Sequence, residues 1–188
     1  MNKHIPKTTW LVDEQWIKDN SFIDFNLHGK YINIAMQFIQ DDLITRILGS
    51  CLAAHIQHLV ETNKIHLKHY TEYDTIIRDY ISYIFVWGIP LMVNIPLTFQ
   101  TRNSGVIQLT GEGFQTMNPV NDLKQINAWY KTNMDMYINR LIEYLQSIKP
   151  KLQKDLKGCN IPCLHVDNYV HTLKPNYYPL TQYQLWRK

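Results

Sequence analysis

Between Asn118 and Pro150 apolar side chains return every three or four positions, at Leu123, Ile126, Tyr130, Met134, Tyr137, Ile138, Leu141, Tyr144, Leu145 and Ile148. That is the period of one face of an α-helix. Asn118 is a good cap and Pro119 suits the first helical position, where its missing N–H costs nothing. Pro150 is the expected stop, because proline removes an amide donor and clashes with the preceding turn. At ~1.5 Å rise per residue the helix predicted is roughly 45 Å long, which makes the chain a helical bundle first.

The other segments agree. Ile32, Ala35, Met36, Ile39, Leu43 and Ile47 form one helical stripe over Lys30 to Leu48, and Gly49 follows where a left-handed C-terminal cap belongs. Leu52, Ile56, Leu59 and Val60 predict a shorter helix from Ser50 to Thr62. Asp13 can cap a turn or two through Lys18. Thr71, with Asp74 three residues on, resembles a capping box before the wide apolar face of Tyr73, Ile76, Ile77, Tyr80, Ile81, Ile84 and Phe85. Pro90 is expected to end that helix.

"PLTFQTRNSGVIQLTGEG", from Pro96 to Gly113, is the one stretch that reads as strands. Alternation puts Leu97, Phe99 and Thr101 on one face of the first strand, and Ile107 and Leu109 on one face of the second. A three-residue loop of Asn103, Ser104 and Gly105 would set Thr101 opposite Ile107 and Phe99 opposite Leu109, so that both apolar rows share a side. A two-residue loop would set Phe99 against Gln108 and split them. Gly105 suits the positive-φ position closing the longer loop, so the three-residue register is expected. A lone hairpin has open edges and is marginal in water, so it should pack on its helices or pair with another chain.

The fold class expected is therefore mainly α: a small helical bundle over residues 1–158 with a β-hairpin at about 95–111, and an extended C-terminal tail over 159–188. The tail has no period, three prolines and several aromatic residues that are costly to leave in water. At 188 residues, 45% apolar and 12% aromatic, one domain with a real core is accommodated.

Nineteen Lys and Arg against sixteen Asp and Glu give a charge of +3 spread along the chain. Nucleic-acid and membrane-surface binders usually gather their cations. The opening "MNKHIPKTTW" lacks the apolar region of a signal peptide. "YISYIFVWGIPLMVNIPL" holds Gly88, Pro90, Asn94 and Pro96, and reads as too broken to span a bilayer. Cys51, Cys159 and Cys163 form neither an even framework nor a CxxC pair, which fits reduced thiols.

His55, His58, His66 and His69 form two pairs at a spacing of three, which on one helix could bring two imidazoles to an ion. No carboxylate is placed in the sequence to orient them, and a wet helix face is the preferred reading. Cys159, Cys163, His165 and His171 make a nominal ligand set whose spacing does not match usual zinc modules. Asp41, Asp42, Asp122, Asp135 and Glu143 read as solvated helix faces. No phosphate-binding loop, nucleophile elbow or HExxH occurs, so nothing calls for a catalytic residue, cofactor or metal.

The order "SFIDFN", "INIAMQFIQDDLITRILGS", a short helix, "YTEYDTIIRDYISYIFVWGIPLMVNIPLTFQTRNSGVIQ" and "MNPVNDLKQINAWYKTNMDMYINRLIEYL" resembles the head–tail connector adaptors of tailed bacteriophages, of the type in crAss-like and other Bacteroides phages. "ILGS", "TRNSGV" and "YINRLIEYL" are its sharpest marks. The resemblance implies a virion protein without enzyme activity, repeated in a dodecameric ring beneath the portal protein. It would continue the DNA channel and offer a surface to the next tail component. On that reading Phe99, Arg102, Asn103, Ser104 and Gly105 are candidate interface residues. Tyr169, Tyr177, Tyr178, Tyr183 and Trp186 are candidate portal contacts. The alternatives are a helical DNA-binding regulator, for which the hairpin offers only Arg102 as a cation, and a zinc module built on the histidines and late cysteines.

Overall fold

A computed structural model of the chain describes residues 9–102, 105–108 and 119–157, with side chains at 9–94, 97 and 123–157. The described part is mainly helical. Helix α1 is Glu14–Asn20, and Asp13 caps it as expected, accepting from the backbone N–H of Gln15 at 2.9 Å and of Trp16 at 3.2 Å. Helix α2 is continuous through Gly29–Phe38, a π-helical turn at Ile39–Ile44 and Thr45–Leu48. Gly49, at φ 78° and ψ 150°, ends α2 and starts α3, Ser50–Glu61; its φ is positive, which glycine allows, but its ψ lies outside the left-handed helical region expected of the cap.

A short 3₁₀ turn, Lys68–Tyr70, leads into α4, which runs through Thr71–Thr75, a second π-helical turn at Ile76–Ile81, and Ser82–Thr98. Each π turn is followed by a hydroxyl that donates five residues back: Thr45 Oγ1 to the Gln40 carbonyl at 3.0 Å, and Ser82 Oγ to the Ile77 carbonyl at 2.8 Å. A widened turn displaces backbone carbonyls from their usual amides, and a short side-chain donor satisfies them without water. Helix α5 is Pro119–Asp155, beginning at the proline as expected.

Three local expectations are corrected. Helix α4 does not end at Pro90, and α5 does not end at Pro150. A proline inside a helix costs about 3 kcal/mol, whereas each fully buried aliphatic side chain returns roughly 1.5–3 kcal/mol. Ile89, Leu91 and Val93 around Pro90, and Leu152 beyond Pro150, are all buried, so tertiary burial outweighs the local penalty. Nor do Thr71 and Asp74 form a capping box. Thr71 already has helical φ and ψ because the 3₁₀ turn runs straight into it, and its hydroxyl donates to the Lys68 carbonyl. Asp74 turns instead to His66 and Arg78.

The hairpin register is also corrected. Strands β1, Phe99–Arg102, and β2, Gly105–Gln108, pair antiparallel with Phe99 opposite Gln108 and Arg102 opposite Gly105. The connection is thus the two-residue Asn103-Ser104 loop. Two-residue loops match the right-handed strand twist best, and here that preference outweighs the pairing of apolar rows. Leu109 lies outside the described residues.

Helix α4 is the centre of the bundle, with α5 antiparallel along one side and α2 and α1 on others. Ile81, Ile84, Phe85 and Ile89 of α4 meet Met36, Ile39 and Leu43 of α2 and Ile138, Leu141 and Leu145 of α5 in one apolar core. The stretch Lys68–Asn94 is unbroken, and by length and composition it meets the threshold of a bilayer-crossing helix, contrary to expectation; 61% of its apolar window is nevertheless buried against its own neighbours. Packing within the chain accounts for that hydropathy.

Two polar contacts pin the bundle. Gln40, 1% exposed, accepts from the Leu11 backbone N–H at 3.1 Å and donates to the Thr9 carbonyl at 2.9 Å, strapping the chain before α1 onto α2. Asn94 donates to Asn127 at 3.0 Å across α4 and α5.

Candidate functional site

Among the described residues, a partly exposed aromatic row lies along the line where α4 meets α5. Tyr80, Tyr83 and Trp87 recur at three and four residues on α4 and therefore share a face. Helix α5 runs the other way and offers Tyr144, Tyr137 and Trp129 in matching order. Tyr80 stacks on Tyr144 with centroids 5.0 Å apart and Tyr83 on Tyr137 at 4.9 Å, while Trp87 meets Trp129 edge-on at 5.1 Å. Such pairs contribute about 0.5–1.5 kcal/mol each beyond area burial.

Residues near α1 close the seam. Trp16 sets its ring edge-on to Tyr83, and Phe22 leans on both Trp87 and Trp129. The seam nevertheless faces outward: Phe22 is 66% exposed, Trp129 48% and Tyr83 39%. Aromatic rings packed against one another and left partly in water form the kind of surface that binds a partner.

At its Tyr80–Tyr144 end the seam opens into a hollow of about 490 Å³ lined also by Asp79, Arg140, Glu143 and Ser147. The Arg140 guanidinium lies 5.6 Å over the Tyr137 ring, and Asp79 accepts from Arg78 at 2.9 Å. Burial raises the pKa of Tyr144 above the ordinary phenol value.

The histidines do not converge. His55 presents its ring edge to Tyr73 at 5.2 Å, and burial, then the neighbouring His58, lower its pKa. His66 pairs with Asp74 at 3.1 Å, and His69 sits edge-on to Tyr70 at 5.0 Å. Among the described residues no group of three or more His, Cys, Asp or Glu is placed to hold a metal ion. Cys159, Cys163, His165 and His171 lie outside the described residues. Cys51 is disulfide-bonded, which corrects the reading of three reduced thiols.

Of the expected interface residues, Phe99, Arg102 and Gly105 lie in β1 and β2 by their backbone, and Asn103 and Ser104 fall outside the described residues. So do Tyr169, Tyr177, Tyr178, Tyr183 and Trp186. Among the carboxylates, Asp42 pairs with Arg46 and Asp135 with Lys131, whereas Glu143 lines the hollow. The sequence reading missed the seam as a surface. Its signal was the run of Tyr and Trp at helical spacing, taken there in part as core. No protein-family model, curated protein or solved structure matches the chain.

Proposed function

We propose that the protein is a structural ring component of the head-to-tail connector of a tailed bacteriophage, made in the host cytoplasm and carried in the virion at the capsid–tail junction. Its copies form a closed ring, dodecameric on this reading, that binds the portal, continues the DNA channel and receives the next tail component. No catalytic group or cofactor belongs to this role.

One observation carries the reading: among the described residues β1 and β2 pair only with each other, at the end of the buried helix α4. A two-stranded ribbon is marginal alone in water, and its edges offer unpaired amides and carbonyls that a neighbouring subunit can complete. The ribbon is the arm that reaches that neighbour or lines the channel, with Phe99 and the turn from Arg102 to Gly105 at the contact. Tyr169, Tyr177, Tyr178, Tyr183 and Trp186 supply the portal contact in the assembled particle. DNA passes without sequence recognition, consistent with a small, dispersed net charge.

Native mass spectrometry of the purified chain, alone and with the portal protein, tests this. Closed multiples of the 22.4-kDa subunit are expected. Monomers that bind duplex DNA in a salt-sensitive way, without assembly on the portal, would replace the reading with a DNA-binding one.

A further inference from the structure

We propose that, before assembly, the aromatic seam between α4 and α5 is the docking groove for this chain's own C-terminal segment, Pro175 to Lys188. The inference goes beyond the ring reading, since it concerns the unassembled chain and stands whether or not a ring forms.

Chemistry, reach and charge point to that occupant. The segment "PNYYPLTQYQLWRK" carries Tyr177 and Tyr178 between Pro175 and Pro179, and Tyr183 and Trp186 after them. Proline holds such a segment extended, and extended proline-containing segments dock into aromatic-lined grooves at low entropic cost. The described chain ends at Lys157, and α5 places Trp129 roughly 42 Å back along its axis at ~1.5 Å per residue. Within one chain the disulfide of Cys51 takes Cys159 or Cys163, so the free span begins no later than residue 164. Residues 164–174 cover up to about 36 Å when extended, against roughly 28 Å back along α2 from Leu48 to Gly29, so Pro175 can reach the Phe22–Trp129 end. From there the segment returns down the seam, about 22 Å to Tyr144 by the same helical rise.

Charge sets the direction. Arg187 and Lys188 follow Trp186 directly, and the hollow at the Tyr80–Tyr144 end offers them the Glu143 carboxylate, Asp79 being already paired with Arg78 and Arg140 lying over the Tyr137 ring. With the basic end over that hollow, Trp186 stacks near Tyr80 and Tyr144, and Tyr177 lies near Phe22 and Trp129. Aromatic stacking would then cover the rings that the helices leave partly in water.

Photo-cross-linking in the full chain tests the proposal, with benzoylphenylalanine placed at position 186 or at position 177, and isotope-mixed protein used to separate contacts within a chain from those between chains. The expected products are intrachain: peptides containing Tyr80 or Tyr144 from position 186, and Phe22 or Trp129 from position 177. Trp129→Glu, which loses the ring contacts with Phe22 and Trp87 and so lowers the unfolding temperature, is expected to abolish the cross-link from position 177 at a temperature where circular dichroism shows the variant folded. Cross-links between chains, to other surfaces, only after portal protein is added, or insensitive to Trp129→Glu would overturn the proposal, as would their absence.

Discussion

Gly88 of α4 lies so close to Ile39 of α2 that a Cβ at position 88 would stand 2.9 Å from Ile39 Cδ1, and 3.1 Å from Met134 Sδ on α5. Three helices meet at a residue with no side chain, and that absence sets how closely α4 approaches both neighbours. The atoms in the way are ends of flexible side chains. Gly88→Ala is therefore expected to be close to neutral, the small clash being offset by a gain of about 1 kcal/mol in helix propensity. Gly88→Leu overpacks the junction and should cost about 1–3 kcal/mol or more. Urea unfolding of both variants checks this; equal stability for Leu and Gly would contradict the close approach.

Gln40 holds the chain before α1 by two hydrogen bonds. Gln40→Leu keeps the volume and leaves the Leu11 N–H and Thr9 carbonyl without these partners, at a cost of about 1–3 kcal/mol. Hydrogen exchange at the Leu11 amide should accelerate more than exchange in the α4–α5 core. Unchanged protection at Leu11 would show that the strap is not held by this side chain.

Tyr73 is buried, and its hydroxyl donates to Asp155 at 3.4 Å. Burial, then the Asp155 carboxylate, push its pKa from 10.0 up to about 12. The folded state thus keeps the phenol proton to higher pH than the unfolded state does. That contribution is complete below pH 10 and is lost as pH rises toward 12; the shift corresponds to on the order of 2–3 kcal/mol. Tyr73→Phe should flatten the fall in stability over that window. Some slope will remain, because burial also raises Tyr130 and Tyr144. A variant with the same alkaline slope as the parent protein would rule Tyr73 out as its source.

With Cys51 in a disulfide and three cysteines in the chain, one thiol remains. Thiol titration of denatured protein should find one group without reductant and three after reduction. Three groups before reduction would contradict the bond.

The helices were legible because burial of one face imposes its period on the sequence: α2, α3 and the start of α5 follow directly from apolar spacing, and Asp13 acts as local chemistry requires. Pro90 and Pro150 misled because their cost is local whereas the burial of Ile89 and Leu152 depends on partners distant in sequence. Thr71 misled because a 3₁₀ turn had already supplied its helical conformation. The hairpin register turned on whether loop geometry or face pairing prevails, and the strand pattern alone weighs only the second. The seam was hidden for a related reason. Tyr83 and Trp129 stand off the apolar stripes of their helices, and only the placement of α4 beside α5 brings them into one aromatic surface.

The central claim is that this chain works as one copy in a ring. Negative-stain electron microscopy of the protein with its portal tests it most directly. The account predicts closed rings seated on the portal, with the β1–β2 turn in contact with a neighbouring copy or the channel. Fields of isolated monomers, with and without portal, would contradict it.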